Sequence, residues 1–252
     1  MKLATFNILS GRSLLDGRID HDRFGQAIEA LDADVVALQE VDRAQPRSGG
    51  ADLTALAAQA LGATSWRFAP AISGTPGGDW AAVSDELPPE VPGYGVALLS
   101  RYPVSSWQVV RLPPLPVKLP LLVPGPQKVM LVREEPRVAL VATIGTPSGV
   151  LTVASTHLAF VPGWNFRQLD LIRRALRGVP GPVVIAGDLN LPVVALRGWH
   201  RLAAAATYPA ARPRVQLDHM LARGAIRTIG EPQVRALAVS DHAALSVEVA
   251  LG

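Results

Sequence analysis

The chain has no cysteine, few charged residues and no long uninterrupted apolar run. Without cysteine, disulfide bonds, thiolate metal sites and cysteine nucleophiles are excluded. No segment offers the ~20 consecutive apolar residues that a membrane-spanning helix needs, so no membrane span is expected. The opening MKLATFNIL has too short an apolar stretch for a signal peptide, and we therefore expect a cytoplasmic protein.

Hydrophobic residues make up 49% of the chain and charged residues 18%, a balance typical of an ordered protein with a large core. The 24 basic and 21 acidic residues give a net charge of +3, which permits an anionic partner without requiring nucleic acid. No internal repeat or change of composition divides the 252 residues. We therefore predict a single domain over residues 1–252.

Strand-like runs rich in Val, Ile, Leu and Ala alternate with a few helical patterns. Strands are predicted at 2–8, 34–39, 66–70, 94–99, 105–111, 127–132, 137–145, 150–156, 182–187, 215–221 and 244–250. Several are apolar on both faces, which is typical of strands covered on both sides. Apolar spacing predicts helices at 20–31, 51–61, 165–177 and 193–206. The stretches 71–92 and 112–126 are rich in Pro and are predicted to be loops.

Short polar islands stand where several of these strands end, and the strongest is GDLNLP at 187–192. Asp188 follows an apolar strand, and Gly187 allows a tight exit from it. In an extended backbone Asp188 and Asn190 point the same way, so they could orient one water against one phosphate. The alternative is an ordinary turn that closes a strand.

Two further islands, LDHML and SDHAAL, contribute acids and imidazoles. Asp241 and His242 point to opposite sides if extended, so one could reach a metal and the other a substrate. Asp218 interrupts an apolar strand, which is costly unless the acid is paired, and it is a candidate partner that orients His242. His219 faces the other way and is interpreted as structural.

The remaining islands place an acid, an amide, an imidazole and a guanidinium at strand ends. Glu40 in LQEVD offers the carboxylate oxygens that Mg²⁺ or Mn²⁺ prefers, and Asn7 in KLATFNIL is either a neighbour of that site or a turn residue. His157 in STHLAF is either catalytic or a core histidine. Arg137 starts a strand and either clamps a phosphate or lies at the surface.

Taken in order, the islands read FNIL, LQEVD, LLSRYP, STHL, GDLN, LDHM and SDH. This order and spacing resembles the endonuclease/exonuclease/phosphatase superfamily, the deoxyribonuclease I-like metal-dependent phosphoesterases, over nearly the whole chain. The resemblance implies an α+β fold, a four-layer α/β/β/α sandwich of two mixed β-sheets flanked by helices. It also implies an active site at one edge of the sandwich, where loops of both sheets meet.

The resemblance implies a magnesium or manganese site and an in-line attack of water on phosphorus. Glu40 resembles the principal metal ligand, helped by Asn7 and Asp241. Asp188 resembles the residue that orients or deprotonates the attacking water. Asn190 resembles the residue that holds the scissile phosphate.

The two histidines resemble groups that act on the phosphate. His242, oriented by Asp218, is expected to contact a phosphate oxygen or transfer a proton. His157 is expected to stabilise the pentacovalent phosphorus or assist the leaving group. Many relatives carry an Asn or an acid in the strand before SRYP, whereas this chain has Tyr94 and Val96 there. The Tyr94 hydroxyl is the substitute that the sequence offers as a partner for His157.

The resemblance leaves the substrate open. The first choice is a phosphodiester, with DNA as one form of it. A lipid phosphodiesterase similar to sphingomyelinases is the alternative that the apolar stretch 112–126 allows, and a phosphatase of small molecules or inositol phosphates is another. An inactive relative that serves as a binding module is disfavoured because the acids and histidines are all present. The sequence does not determine the oligomeric state.

Overall fold

A computed structural model describes residues 1–84, 86–123 and 128–252, and it contains the predicted four-layer sandwich. In chain order the strands are β1 (Lys2–Asn7), β2 (Val35–Arg43), β3 (Ser65–Gly74), β4 (Trp80–Ala82), β5 (Gly93–Ser100), β6 (Val104–Leu112), β7 (Leu119–Val123), β8 (Lys128–Val132), β9 (Arg137–Thr146), β10 (Gly149–His157), β11 (Val183–Asp188), β12 (His200–Arg201), β13 (Asp218–Arg223), β14 (Ile226–Arg235) and β15 (Ala244–Leu251). The helices are α1 (His21–Glu29), α2 (Leu53–Leu61) and α3 (Trp164–Ala175).

Both large sheets are mixed. The first has seven strands in the order β14-β15-β1-β2-β5-β3-β4, and the second has six in the order β12-β13-β11-β10-β9-β6. Each contains one parallel pair, β1 with β2 and β10 with β11, while its other pairs are antiparallel. A separate two-stranded ribbon joins β7 to β8.

Three apolar layers hold the sandwich together. Side chains such as Leu98, Leu140 and Val153 fill the space between the two sheets. Helices α1 and α2 cover the outer face of the first sheet, and α3 covers the outer face of the second. Strands buried on both faces explain why so many runs are apolar at every position.

Helix starts follow from local capping. The Asp20 side chain accepts a hydrogen bond from the Arg23 N–H and caps the start of α1, and Asp52 caps the start of α2 in the same way. Among the described residues no helix combines the length and the apolar character needed to cross a bilayer.

The predicted helix at 193–206 is wrong. Gly198 takes a left-handed φ of 79° there, and His200–Arg201 pair with β13 as β12. The Leu202 N–H then continues this pairing by donating to the Met220 carbonyl. Pairing with a neighbouring strand therefore overrides the helix propensity of an alanine-rich segment.

Two predicted loops contain strands. Within 71–92, β3 continues to Gly74 and pairs with β4. Within 112–126, Leu119–Val123 form β7 in the two-stranded ribbon, where proline is tolerated because both strands are edges. Residues 124–126 of that prediction lie outside the described residues.

Topology brings the polar strand ends to one edge. Parallel β1 and β2 finish side by side, with Asn7 opposite Gln39, and parallel β10 and β11 finish with His157 opposite Asp188. Antiparallel β13 begins with Asp218 opposite Asp188. Residues that are far apart in sequence are thereby collected at the same end of the sandwich.

Candidate active site

Asn7 links the two sheets at this edge. Its buried amide nitrogen donates to Glu40 Oε1 at 3.0 Å and to Asp188 Oδ2 at 3.1 Å, while its Oδ1 accepts the Leu9 N–H at 3.1 Å. One amide thus holds a carboxylate from each sheet. The Asn7 side-chain oxygen, which the resemblance suggests as a helper of the metal site, accepts a backbone N–H in this arrangement.

Glu40 lies on a bulge in β2. The register of β2 against β5 shifts between Leu38 and Val41, and Glu40 takes a left-handed φ of 55°. A non-glycine residue in this conformation is strained, and bulges of this kind re-aim side chains at functional sites. Burial raises the pKa of Glu40, the Asn7 hydrogen bond opposes the rise, and the negative charge of Asp241 adds to it.

Asp188 ends β11 directly after Gly187, where β10 lies too close for a side chain. A Cβ at Gly187 would overlap the carbonyl oxygen of Thr156 on β10. Asp188 Oδ1 accepts the Asn190 N–H at 3.0 Å, Asn190 has a left-handed φ of 50°, and its amide donates to the Leu158 carbonyl at 2.9 Å. The expectation that the two side chains extend in parallel is therefore wrong, because the chain turns immediately after the strand.

His157 reaches Asp188 from β10. Its Nε2 lies 3.5 Å from Asp188 Oδ2, and its Nδ1 lies 3.3 Å from Arg137 Nη1. Because a guanidinium can only donate, Nδ1 is the acceptor and the ring proton is on Nε2, facing the carboxylate. Burial, then the charges of Arg137 and His242, hold the pKa of His157 well below its usual value. Arg137, rather than the Tyr94 hydroxyl, is the partner of this ring.

His242 approaches the same carboxylate from the other side. Its Nδ1 lies 2.8 Å from Asp218 Oδ2, as expected from the sequence, and its Nε2 lies 3.7 Å from Asp188 Oδ2. Burial alone would lower the pKa of His242, but the hydrogen bond and charge of Asp218 outweigh it and raise the pKa to about 9. The ring packs against Tyr208 at 4.9 Å between centroids.

Asp188 is the point on which these groups converge. Burial, followed by the charge of Asp218, raises the pKa of Asp188 to about 7. Its Oδ2 receives Asn7 and faces the Nε2 atoms of His157 and His242. This edge therefore joins a carboxylate that titrates near neutrality to a charged imidazole and a neutral one.

Asp241 lies beside the acidic end of the site. Its backbone carbonyl accepts the Ala210 N–H, and its charge raises the pKa of both Glu40 and His242. The described residues contain no cluster of three or more His, Asp or Glu side chains gathered as metal ligands. A magnesium ion needs only one or two carboxylates together with water. The oxygen donors of Glu40 and Asp241, whose mutual repulsion a cation would relieve, fit that requirement.

Several supporting residues gave no sequence signal. Thr207 Oγ1 accepts the Asp218 N–H at 3.3 Å, and Asn165 donates to the Asn190 carbonyl at 3.0 Å. Thr207, like Tyr208, lies in an irregular loop whose approach to the site depends on the packing of β13. His219 is fully buried with Nε2 at 2.7 Å from the Leu191 carbonyl, consistent with a structural role.

The Asp218–His242 pair gives a direct prediction. Asp218→Asn should lower the pKa of His242 from about 9 toward 6.5, because the main group that favours the imidazolium is lost. We expect this shift in an NMR titration of the His242 ring in metal-free protein. Asp241→Asn is the matched control and should lower the pKa less, since Asp241 acts only through space. An unchanged titration in Asp218→Asn would contradict the pairing.

The same pair fixes the sign of a stability effect. The pKa of His242 is raised in the folded state, so its stabilisation is complete below about 6.5 and disappears as the pH rises through about 9. The decrease in the free energy of unfolding that Asp218→Asn causes through this pair should therefore be larger at pH 6 than at pH 10.

Comparisons with known proteins identify the family and the fold. The sequence model of the Endonuclease/Exonuclease/phosphatase family matches residues 4–242. A search of curated proteins gives no match. Similar solved structures include an endonuclease/exonuclease/phosphatase from Beutenbergia cavernae, at 24% identity and a TM-score of 0.69 over 100% of this chain and 72% of that one. They also include a mannosyl-6-phosphatase from Bacteroides thetaiotaomicron, at 13% identity and 0.63 over 100% of both chains. TDP2 from C. elegans matches at 16% identity and 0.59 over 100% of this chain and 75% of that one.

Proposed function

Because the chain belongs to the endonuclease/exonuclease/phosphatase family, whose members are phosphoesterase hydrolases, we propose that it is a Mg²⁺- or Mn²⁺-dependent phosphodiesterase. Residues 1–252 would form one catalytic domain. The observation that carries it is the convergence on Asp188 Oδ2 of Asn7 at 3.1 Å, His157 at 3.5 Å and His242 at 3.7 Å.

Asp188 is proposed to accept a proton from the attacking water. A carboxylate whose pKa is raised to about 7 is a far better base near neutral pH than one with an ordinary pKa of 3.8. The Asn7 amide and the Asn190 N–H hold its two oxygens at 3.1 and 3.0 Å, so its orientation is fixed before substrate binds.

The two imidazoles are proposed to act on the phosphoryl oxygens. His242 is protonated below pH 9 and supplies a positive charge that Asp218 stabilises. His157 supplies a neutral Nε2–H, fixed by the Arg137 hydrogen bond to its other nitrogen. Both Nε2 atoms face Asp188 Oδ2, so a phosphate bound beside that oxygen would receive both donors, and donors aimed at growing charge stabilise the transition state of an in-line attack.

The remaining predicted residues take supporting parts in this proposal. Asn190 would bind the scissile phosphate, and Arg137 would contribute positive charge from behind His157. Glu40 and Asp241, with Asn7 beside them, would hold the metal ion, as the family is generally dependent on divalent metals. When bound, the ion would neutralise negative charge on the phosphate.

A chelation experiment tests the metal requirement. We expect EDTA to abolish hydrolysis of bis-p-nitrophenyl phosphate and Mg²⁺ or Mn²⁺ to restore it, because Glu40 and Asp241 would repel the substrate unless a cation lies between them and the phosphate. Full activity in the chelated protein would rule out the metal-dependent mechanism.

A substrate panel then separates the alternatives. The similar folds include a mannosyl-6-phosphatase and TDP2, so both monoesters and diesters belong in the panel. Plasmid DNA, abasic-site duplex, phospholipid vesicles, inositol phosphates and sugar phosphates should each be assayed with Mg²⁺. Cleavage of DNA would support a nuclease, and cleavage of monoesters alone would replace the diesterase proposal with a phosphatase.

A further inference from the structure

Exposed apolar side chains concentrate around the candidate site. Ten large hydrophobic side chains are exposed among the described residues. Six of them lie on the loops that leave β1, β10 and β11, on the first turn of α3, or on the loop that enters β13, and we call these six the apolar rim: Leu14, Leu15, Phe160, Phe166, Val193 and Val215. Exposed apolar groups that gather around one site often mark an interaction surface.

Hydrogen bonds between these loops place the rim around the site. The Ser240 N–H donates to the Arg12 carbonyl, so the loop after β1 adjoins the segment that carries His242. The Ala210 N–H donates to the Asp241 carbonyl, which brings the loop before β13 to the same segment. On the other sheet, Asn165 donates to the Asn190 carbonyl and joins the loops after β10 and β11.

The most exposed residue of the rim lies on a hydrogen-bonded turn. Leu14 and Leu15 are 60% and 91% exposed at its tip. Buried Ser13 holds the turn, because its N–H donates to the Arg18 carbonyl, its carbonyl accepts the Gly17 N–H and its hydroxyl accepts the Leu15 N–H. Turn tips usually carry Gly, Asn or Asp, so two adjacent leucines presented this way are preformed for an apolar contact.

The charge of the rim loops is positive. Residues 9–20, 158–167, 189–199 and 206–217 contain six arginines but only Asp16 and Asp20 as acids. All six arginines are exposed: Arg12, Arg18, Arg167, Arg197, Arg212 and Arg214. Asp16 is already paired with Arg23 at 2.8 Å. Basic side chains that surround protruding apolar ones are complementary to an anionic bilayer surface.

We infer that the apolar rim docks on an anionic lipid surface, so that the substrate is a phosphoester presented by a bilayer. Four of the six rim residues are Leu or Val, which insert among acyl chains but offer no ring on which a nucleobase could stack. This favours lipid over nucleic acid as the partner. The inference rests on the proposed function for its substrate, but the docking surface can be tested without turnover.

The test is cosedimentation of the full-length protein, in EDTA, with vesicles of phosphatidylcholine containing phosphatidylglycerol and with vesicles of phosphatidylcholine alone. We expect binding to the anionic vesicles. Leu14→Ser/Leu15→Ser should weaken it at least about tenfold, the effect of removing two apolar side chains from a buried contact. The matched control, Val150→Ser/Ile229→Ser, removes two exposed aliphatic groups from outside the rim, 43% and 44% exposed, and should leave binding unchanged.

Several results would overturn the inference. One is that the wild type fails to bind anionic vesicles, and another is that it binds neutral vesicles equally well. A third is that the control variant loses as much binding as the leucine variant. Binding to duplex DNA in place of vesicles, with the same loss in the leucine variant, would make the rim a nucleic-acid surface. If the protein hydrolyses a soluble diester with metal but does not bind vesicles, only the docking surface is rejected. Vesicle binding without any hydrolysis rejects the proposed function alone.

Discussion

Asp188→Asn is expected to reduce turnover by about 10²–10⁴-fold, the range typical for the loss of a general base. The substitution keeps the shape of the side chain and an oxygen that can accept the Asn190 N–H, but it removes the group proposed to take the proton from water. Hydrolysis of bis-p-nitrophenyl phosphate at saturating Mg²⁺ measures the effect.

The amide of the variant replaces the oxygen that accepts Asn7, but the variant should gain stability relative to the wild type as the pH rises from about 4 to 8. The pKa of Asp188 is raised to about 7 in the folded protein, so ionisation of this buried carboxylate above that pH costs stability that the amide does not lose. The difference in melting temperature between the variant and the wild type should therefore shift in favour of the variant between about pH 4 and pH 8. Asp170→Asn, which breaks ion pairs with Arg173 and Arg174 on α3, is the matched control and should retain full activity. Near-normal turnover in a folded Asp188→Asn protein would reject the assignment of the base.

Glu40→Gly is expected to abolish metal-dependent activity while leaving the fold as stable as before, or more so. Glycine accepts the left-handed φ of 55° without strain, whereas a non-glycine residue held there costs on the order of 1 kcal/mol or more. Glu40→Gln keeps the length of the side chain but loses its charge, so its remaining activity should require a much higher concentration of Mg²⁺. A Mg²⁺ titration of hydrolysis and a thermal unfolding curve provide the two measurements.

Ala44→Gly is the matched control for Glu40→Gly. Ala44 has a left-handed φ of 56° just beyond the same strand, and its N–H donates to the Ala51 carbonyl. The control should gain stability with unchanged activity, because only strain is removed. If Glu40→Gly lost stability and kept its activity, the bulge would serve the fold and not the chemistry.

The layered fold was largely predictable because it depends on local pattern. Runs such as VVIAG in β11 and VVALQ in β2 indicate strands that are covered on both faces. The structure places these two strands at the centres of their sheets. The segment 193–206 was not predictable in the same way. Its alanines favour a helix, and only the approach of β13 converts His200–Arg201 into a strand.

The Asp218–His242 pairing illustrates the part of the site that the sequence did reveal. An acid in an otherwise apolar strand needs a partner, and the structure supplies one at 2.8 Å. The link between His157 and Arg137 was missed because a strand pattern does not show which side chain of a neighbouring strand will face a ring nitrogen.

The sequence by itself determined which chemical groups stand at strand ends and in what order, because side-chain alternation and turn residues are local properties of the chain. Only the tertiary structure decided which groups meet. Asn7 and Asp188 are 181 residues apart, and they come within 3.1 Å because two sheets stack with their polar edges aligned. The bulge that turns Glu40 toward them and the leucines held out at the rim depend on the same long-range packing, which no local pattern records.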